Sequence, residues 1–218
     1  GKKAKKRFGK RIGKFIPSCI GFLVQEELEN LSYLAKGPKR PFTILMGGAK
    51  VDDKLKLIEA LLPKCDYFLA TGGIANSFLK ALGFNVGSSL ATESEEIINK
   101  LRNIMLNNKN KIILPLDAIV TSTYDENYLK HKSIGYINDN DIIYDIGSQT
   151  ITKYKMAIDR SKTVFVNGTC GKYEDSRFAN GTIQCFTNLS LSNADIYVGG
   201  GDSVAAAKKL GFEAKFKY

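Results

Sequence analysis

Four times along this chain a short apolar run breaks at glycine and gives way to a stretch with helical spacing. That alternation limits the folds open to it. The runs are Phe42–Met46 before Gly47-Gly48, Tyr67–Ala70 before Gly72-Gly73, residues 163–166 before Asn167-Gly168, and residues 196–198 before Gly199-Gly200-Gly201. Leu55, Ile58 and Leu62 follow the first turn at helical spacing, Phe78 and Leu82 the second, and Asp202 is expected to open a helix after the fourth. Strands alternating with helices imply βαβ crossovers and a parallel sheet. Such strands are covered on both faces, which is why they carry unbroken apolar runs. The expected fold is therefore α/β, a three-layer Rossmann-like domain with a mostly parallel sheet. Open sheets of this kind bind ligands beyond the carboxyl ends of their strands, and all four glycine clusters fall there.

The remaining elements are fainter. Ile20, Leu23, Leu28, Leu31 and Leu34 predict a helix over 17–36, ended by Gly37-Pro38. Thr92 with Glu95 has the form of a capping box before a helix, and a strand is expected at 111–114. Residues 118–121 and 142–144 suggest brief further strands, residues 124–141 a polar loop, and Ser148 a helix cap.

Charge is distributed unevenly. The formal net charge is +10, yet residues 1–14 alone hold eight Lys and Arg and no acid, which leaves 24 basic against 22 acidic side chains in the rest. The charge pattern is expected to divide the chain into a basic, flexible arm (1–14) and a nearly neutral folded domain (15–218). Such an arm suits a polyanion, RNA among them, although a solvated extension has the same pattern. If about half of its cations contact phosphate, log K should fall with log salt at a slope near −3. Deleting residues 1–14 should flatten that slope, and undiminished RNA affinity after the deletion would assign the site to the folded domain. The four cysteines and one histidine are scattered, so neither a disulfide scaffold nor a zinc site is indicated. No run of about eighteen apolar residues crosses a membrane and no secretory signal is evident. The compartment expected is cytoplasmic, with an organelle left open.

Glycine at a strand-to-helix turn lets backbone N–H groups approach a ligand, and a helix that starts there favours phosphate. Gly199-Gly200-Gly201-Asp202-Ser203 has this form with a carboxylate added. Asp202 would repel bare phosphate but suit phosphate carrying Mg²⁺; as a plain N-cap it would need no ligand. Lys50 and Lys54 are four apart, which predicts two cations on one face of a helix start. Gly72-Gly73 could receive a flat ring or serve close packing. Neither the P-loop pattern nor the dinucleotide G-x-G-x-x-G at a helix start is present.

The motifs, taken in order, resemble the C-terminal, nucleotide-binding domain of phosphoglycerate kinase. The similarity runs from Phe15-Ile-Pro-Ser18 through Gly47-Gly-Ala-Lys-Val51 with Asp53-Lys54, Gly72-Gly73 with Ala75-Asn76, Leu114-Pro-Leu-Asp117, Asp145-Ile-Gly147, Asn167-Gly168 with Gly171 and Glu174, Gly181-Thr182, and Gly199-Gly-Gly-Asp-Ser203. The resemblance implies binding of ATP or ADP with Mg²⁺. Lys50 and Lys54 would be catalytic, contacting the nucleotide phosphates and the group in transit. Asp202 would hold the metal, while the N–H groups at Gly201–Ser203, beside Gly200, would receive phosphate. Gly47, Gly48, Gly72 and Gly73 would wall the base slot, Glu174 would reach the ribose, and Asn167 and Gly171 would adjoin the nucleotide. The family moves a phosphoryl group between 1,3-bisphosphoglycerate and ADP and binds the triose on an N-terminal domain that these 218 residues do not include. Thr169 stands where the family usually has proline, and the Ser-Thr-Gly-Gly-Gly segment is absent. Two roles follow: the nucleotide half of such a kinase, not active as this chain alone, or a derived non-catalytic subunit of a larger assembly such as a ribonucleoprotein.

Overall fold

The computed structural model describes residues 31–217. The basic arm and most of the expected first helix lie outside them; residues 31–35 are helical, and Gly37 follows with φ of 92°.

Six parallel strands form the main sheet: β1 (Phe42–Met46), β2 (Tyr67–Ala70), β3 (Ile112–Ile113), β7 (Thr163–Asn167), β8 (Asp195–Gly199) and β9 (Phe216–Lys217), in the order β3-β2-β1-β7-β8-β9. The four glycine-ended runs are thus the four contiguous central strands. From β1 the chain winds outward through β2 and β3, then returns to place β7 on the other side of β1. Strand order therefore reverses between β1 and β7, the position at which open sheets form a crevice. The turns meet there, with the Gly47 N–H donating to Asn167 O at 2.8 Å.

Strand side chains alternate between two apolar layers. Phe42, Ile44 and Met46 of β1 pack with α1 (Leu55–Leu61), α2 (Gly72–Ala81) and α3 (Glu95–Asn107). Leu45, Val164, Val166, Ile196 and Val198 face α4 (Ser148–Arg160), α5 (Asn180–Leu191) and α6 (Gly201–Lys209). Helices on both faces of a parallel sheet make the three layers expected.

Some expectations fail, while residues 118–121 and 142–144 are strands as expected, but outside the parallel sheet. They belong to β4 (Asp117–Ser122) and β6 (Asp141–Ile146), which with β5 (Lys130–Ser133) form a separate antiparallel sheet, order β5-β4-β6. The segment 124–141 is therefore not all loop: its Lys-His-Lys-Ser run is an edge strand with no face to bury, so it lacks apolar alternation. Leu79 of α2 packs with Ala118, Val120, Ile134 and Ile137 to join this sheet to the body. The cap of α3 is Ser94, whose hydroxyl accepts from the Ile97 N–H, rather than Thr92; Thr92 Oγ1 instead accepts from the Ser94 N–H. Ser148 does not cap α4 either. Gly147 occupies the N-cap position, and the Asp117 carboxylate reaches in from β4 to accept from the N–H groups of Gln149 and Thr150.

Candidate functional site

A cavity of about 590 Å³ opens between the carboxyl ends of the central strands and the small sheet. Gly48, Thr169, Gly171, Tyr173, Glu174 and Asp202 line its polar end; Leu79, Leu90, Pro115, Ala118, Ile134, Ile143 and Ile146 line the other, and Gly72 and Gly73 form a bare backbone wall. One end is suited to charge and the other to an apolar or planar group.

The glycines are required by their packing. Gly48 holds φ of 109°, and a Cβ there would meet Lys54 Nζ at 2.7 Å. A Cβ on Gly73 would overlap the Ala49 carbonyl, since the Gly73 N–H donates to Gly48 O at 2.7 Å. The first two turns therefore interlock. Gly47 is buried beneath them and does not face the cavity.

Helix α6 starts at the polar end. Gly200, with φ of 88°, is its N-cap, so Asp202 lies in the first turn and is not the cap that sequence allowed. Asp202 is exposed and lines the cavity, and among the described residues its carboxylate forms no ion pair. The first intrahelical bond here runs from the Val204 N–H to Gly200 O, so the N–H groups of Gly201, Asp202 and Ser203 have no intrahelical acceptor. The Ser203 hydroxyl is spent, donating to Gly199 O and Gly200 O. Beside this turn Asn167, 8% exposed, has a buried Oδ1 without a hydrogen-bond partner.

The two lysines separate. Helix α1 begins at Leu55, after a turn spanning 51–54, so Lys50 precedes the helix and the shared face expected for Lys50 and Lys54 does not form. Lys50 is exposed outside the cavity lining. Lys54 is also outside the lining; its Nζ folds onto the first turn and donates to Gly47 O at 2.6 Å. Burial lowers its pKa to about 8, against the pull of Asp202 and Asp53.

Two carboxylates of the lining were not singled out as site residues in the sequence. Asp117 is fully buried; besides its two α4 N–H groups it accepts from Thr150 Oγ1 at 2.6 Å and pairs with His131 Nε2 at 2.5 Å. Burial opposes its charge, but bonds from Thr150, His131 and Gln149 prevail and hold its pKa below the usual value. Asp145 accepts from the Gly181 N–H at the start of α5, and burial raises its pKa to about 7. The available signal was an acid placed within a strand and just ahead of a glycine-led helix, as at Asp145-Ile-Gly147. Tyr144 was missed as well: its ring lies under Lys172 Nζ, 4.8 Å from the centroid, and both residues line the cavity.

The phosphoglycerate kinase family model matches residues 9–218. The chain belongs to the phosphoglycerate kinase family. It is 37% identical over 206 residues to the phosphoglycerate kinase of Corynebacterium kroppenstedtii, covering 92% of this chain and 50% of that protein. With the enzyme of Mycoplasmoides gallisepticum it shares 39% identity over 210 residues, again 92% and 50%. The solved structure of phosphoglycerate kinase from Coxiella burnetii superposes with a TM-score of 0.82 at 32% identity, covering 88% of this chain and 50% of that one. The chain spans about half the length of the relatives it matches. Among the described residues, no helix is long and apolar enough to cross a membrane.

Proposed function

We propose that this chain binds ADP or ATP with Mg²⁺ in the cavity, as the nucleotide half of a phosphoglycerate kinase. The observation that carries the reading is the start of α6: three N–H groups without intrahelical acceptors and an exposed carboxylate at the polar end of a cavity whose far end is apolar. That pairing fits a metal-bearing phosphate, because the amides accept the anion and Asp202 supplies the one carboxylate magnesium commonly takes from protein. The orphaned Asn167 Oδ1 marks unfilled hydrogen-bonding capacity beside the same turn. Magnesium, when bound, would neutralise phosphate charge. The Gly72-Gly73 wall and the apolar end would receive the base, and Glu174 would face the ribose. Lys54, and Lys50 if its side chain swings in, would contact the transferring group. The reaction proposed for the whole protein is phosphoryl transfer between 1,3-bisphosphoglycerate and ADP, with the triose held by an N-terminal domain outside these residues. Catalysis of that kind is mainly positioning and charge stabilisation. The 218-residue chain by itself should give no turnover. Retention as a non-catalytic subunit would keep this fold without the nucleotide.

Titration calorimetry tests the reading. Mg-ADP should bind the chain with roughly 4–8 kcal/mol, millimolar to micromolar, and more weakly once Mg²⁺ is chelated. No heat at millimolar Mg-ADP would overturn it and favour the non-catalytic role.

Lys54 gives that binding a pH dependence. Its folded pKa of about 8 lies below the unfolded value, so between those values the unfolded chain holds more protons and this group's contribution to stability rises with pH. A bound phosphate favours the ammonium and pulls its pKa back up. Affinity for ADP should therefore be nearly level around pH 7 and decline above about 8, with proton uptake measurable as a buffer-dependent heat at pH 8. Lys54→Met should remove both effects; if they persist in that variant, another group titrates.

A further inference from the structure

Two thiols meet behind the cavity wall. Cys170 follows Thr169 in the turn after β7; it is 2% exposed and belongs to the cavity lining. Cys185 lies on the buried face of α5 and is fully enclosed. The Cys170 N–H donates to Thr182 Oγ1 at 3.1 Å, and Thr182 precedes Cys185 by three residues, so both lie on one helix face. That bond draws the turn against α5, and both cysteines belong to the same buried cluster. Both thiols are free; Cys170 borders the proposed nucleotide cavity, but neither thiol has been given a role in binding there.

We propose that Cys170 and Cys185 form a peroxide-oxidisable dithiol, in which Cys170 is attacked first from the cavity and Cys185 resolves it to a disulfide. The asymmetry in access sets the order, since Cys170 borders the opening and Cys185 lies behind it. Cys170 sulfur, its proton removed, attacks one oxygen of hydrogen peroxide; the O–O bond breaks, and a sulfenic acid and one water result. Cys185 sulfur then attacks the sulfenic sulfur. The S–O bond breaks, the S–S bond forms, and a second water leaves with the Cys185 proton. The balance is two thiols and one peroxide giving one disulfide and two waters, a two-electron oxidation. Contact with Cys185, then burial, pushes the Cys170 thiol well up, so the first step is slow. Proximity, not acidity, directs the product: a sulfenic acid formed beside a second thiol closes before it is oxidised further. The bond would tie the turn carrying Gly171 and Glu174 to α5. Cys65 provides an internal comparison. It is buried, donates its S–H to Leu62 O at 3.3 Å, and does not line the cavity.

The test is peptide mapping of the full chain without reduction after exposure to hydrogen peroxide. The expected product is a Cys170–Cys185 linked peptide, lighter by two hydrogens and restored by dithiothreitol. In Cys185→Ser, dimedone should label Cys170 and the internal link should be absent. The wild-type map decides alone if that variant fails to fold. A chain in which Cys65 oxidises while Cys170 stays a thiol, in which Cys170 proceeds to sulfinic acid without the link, or in which Cys170 pairs with Cys19 instead would overturn the proposal.

Discussion

Asp117→Ala should lower the stability of this domain by about 3 kcal/mol. The carboxylate is fully buried and satisfies the Gln149 and Thr150 N–H groups, the Thr150 hydroxyl and His131 at once. Truncation leaves the first turn of α4 uncapped, with Thr150 enclosed and unpaired. For a domain of this size the melting temperature should fall by roughly 6–12 °C. The effect should depend on acid. Asp117 titrates below its unfolded value, so its contribution is present above about pH 4 and is lost as pH falls through the folded pKa. Wild type and variant should therefore converge in stability at low pH. A loss below about 0.5 kcal/mol at neutral pH, the level of an ordinary surface change, would show that α4 is capped some other way.

Asp202→Ala should act on binding and leave the fold nearly intact. Asp202 is exposed, is not the N-cap of α6 and has no ion-pair partner among the described residues, so stability should change by about 0.5 kcal/mol or less. The magnesium-dependent part of ADP affinity should drop at least about tenfold, the usual scale for losing a charged partner. Binding without Mg²⁺ should hold or improve, because a carboxylate facing bare phosphate is repulsive. That opposite response separates metal binding from general damage to the cavity. Equal weakening with and without Mg²⁺ would assign Asp202 another role.

The central sheet was legible because its signal is local. Fully buried parallel strands must be continuous in apolar residues, and interlocking turns such as Gly48 against Gly73 admit no Cβ, so the chain announces both in its order of residues. The small sheet was not legible in the same way. Lys130–Ser133 lies at an edge and pairs through backbone, and its side-chain partners, Asp117 for His131 and Asp141 for Lys132, are polar, so no apolar alternation marks it. Helix caps divided along the same line. Asp117 caps α4 from more than thirty residues away, a contact that only the tertiary fold creates, whereas the misplaced cap at Thr92 lay two residues from the one used. Within the site, the turn at Gly199–Ser203 could be read from spacing alone. The separation of Lys50 from Lys54 could not, because it depends on a helix that begins one turn later than the spacing suggested.

A nitrogen-15 correlation spectrum of the chain titrated with Mg-ADP tests the cavity's assignment most directly. Saturable shifts are expected at the backbone amides of Gly48, Gly72, Gly73, Gly171 and Glu174 and at Gly201, Asp202 and Ser203, with the last three depending most on Mg²⁺. Amides at the opposite, amino ends of the strands, among them Lys39 and Asp66, should not move. Saturable binding whose shifts bypass the start of α6, or a spectrum unchanged at millimolar Mg-ADP, would contradict the assignment of this cavity to a magnesium nucleotide.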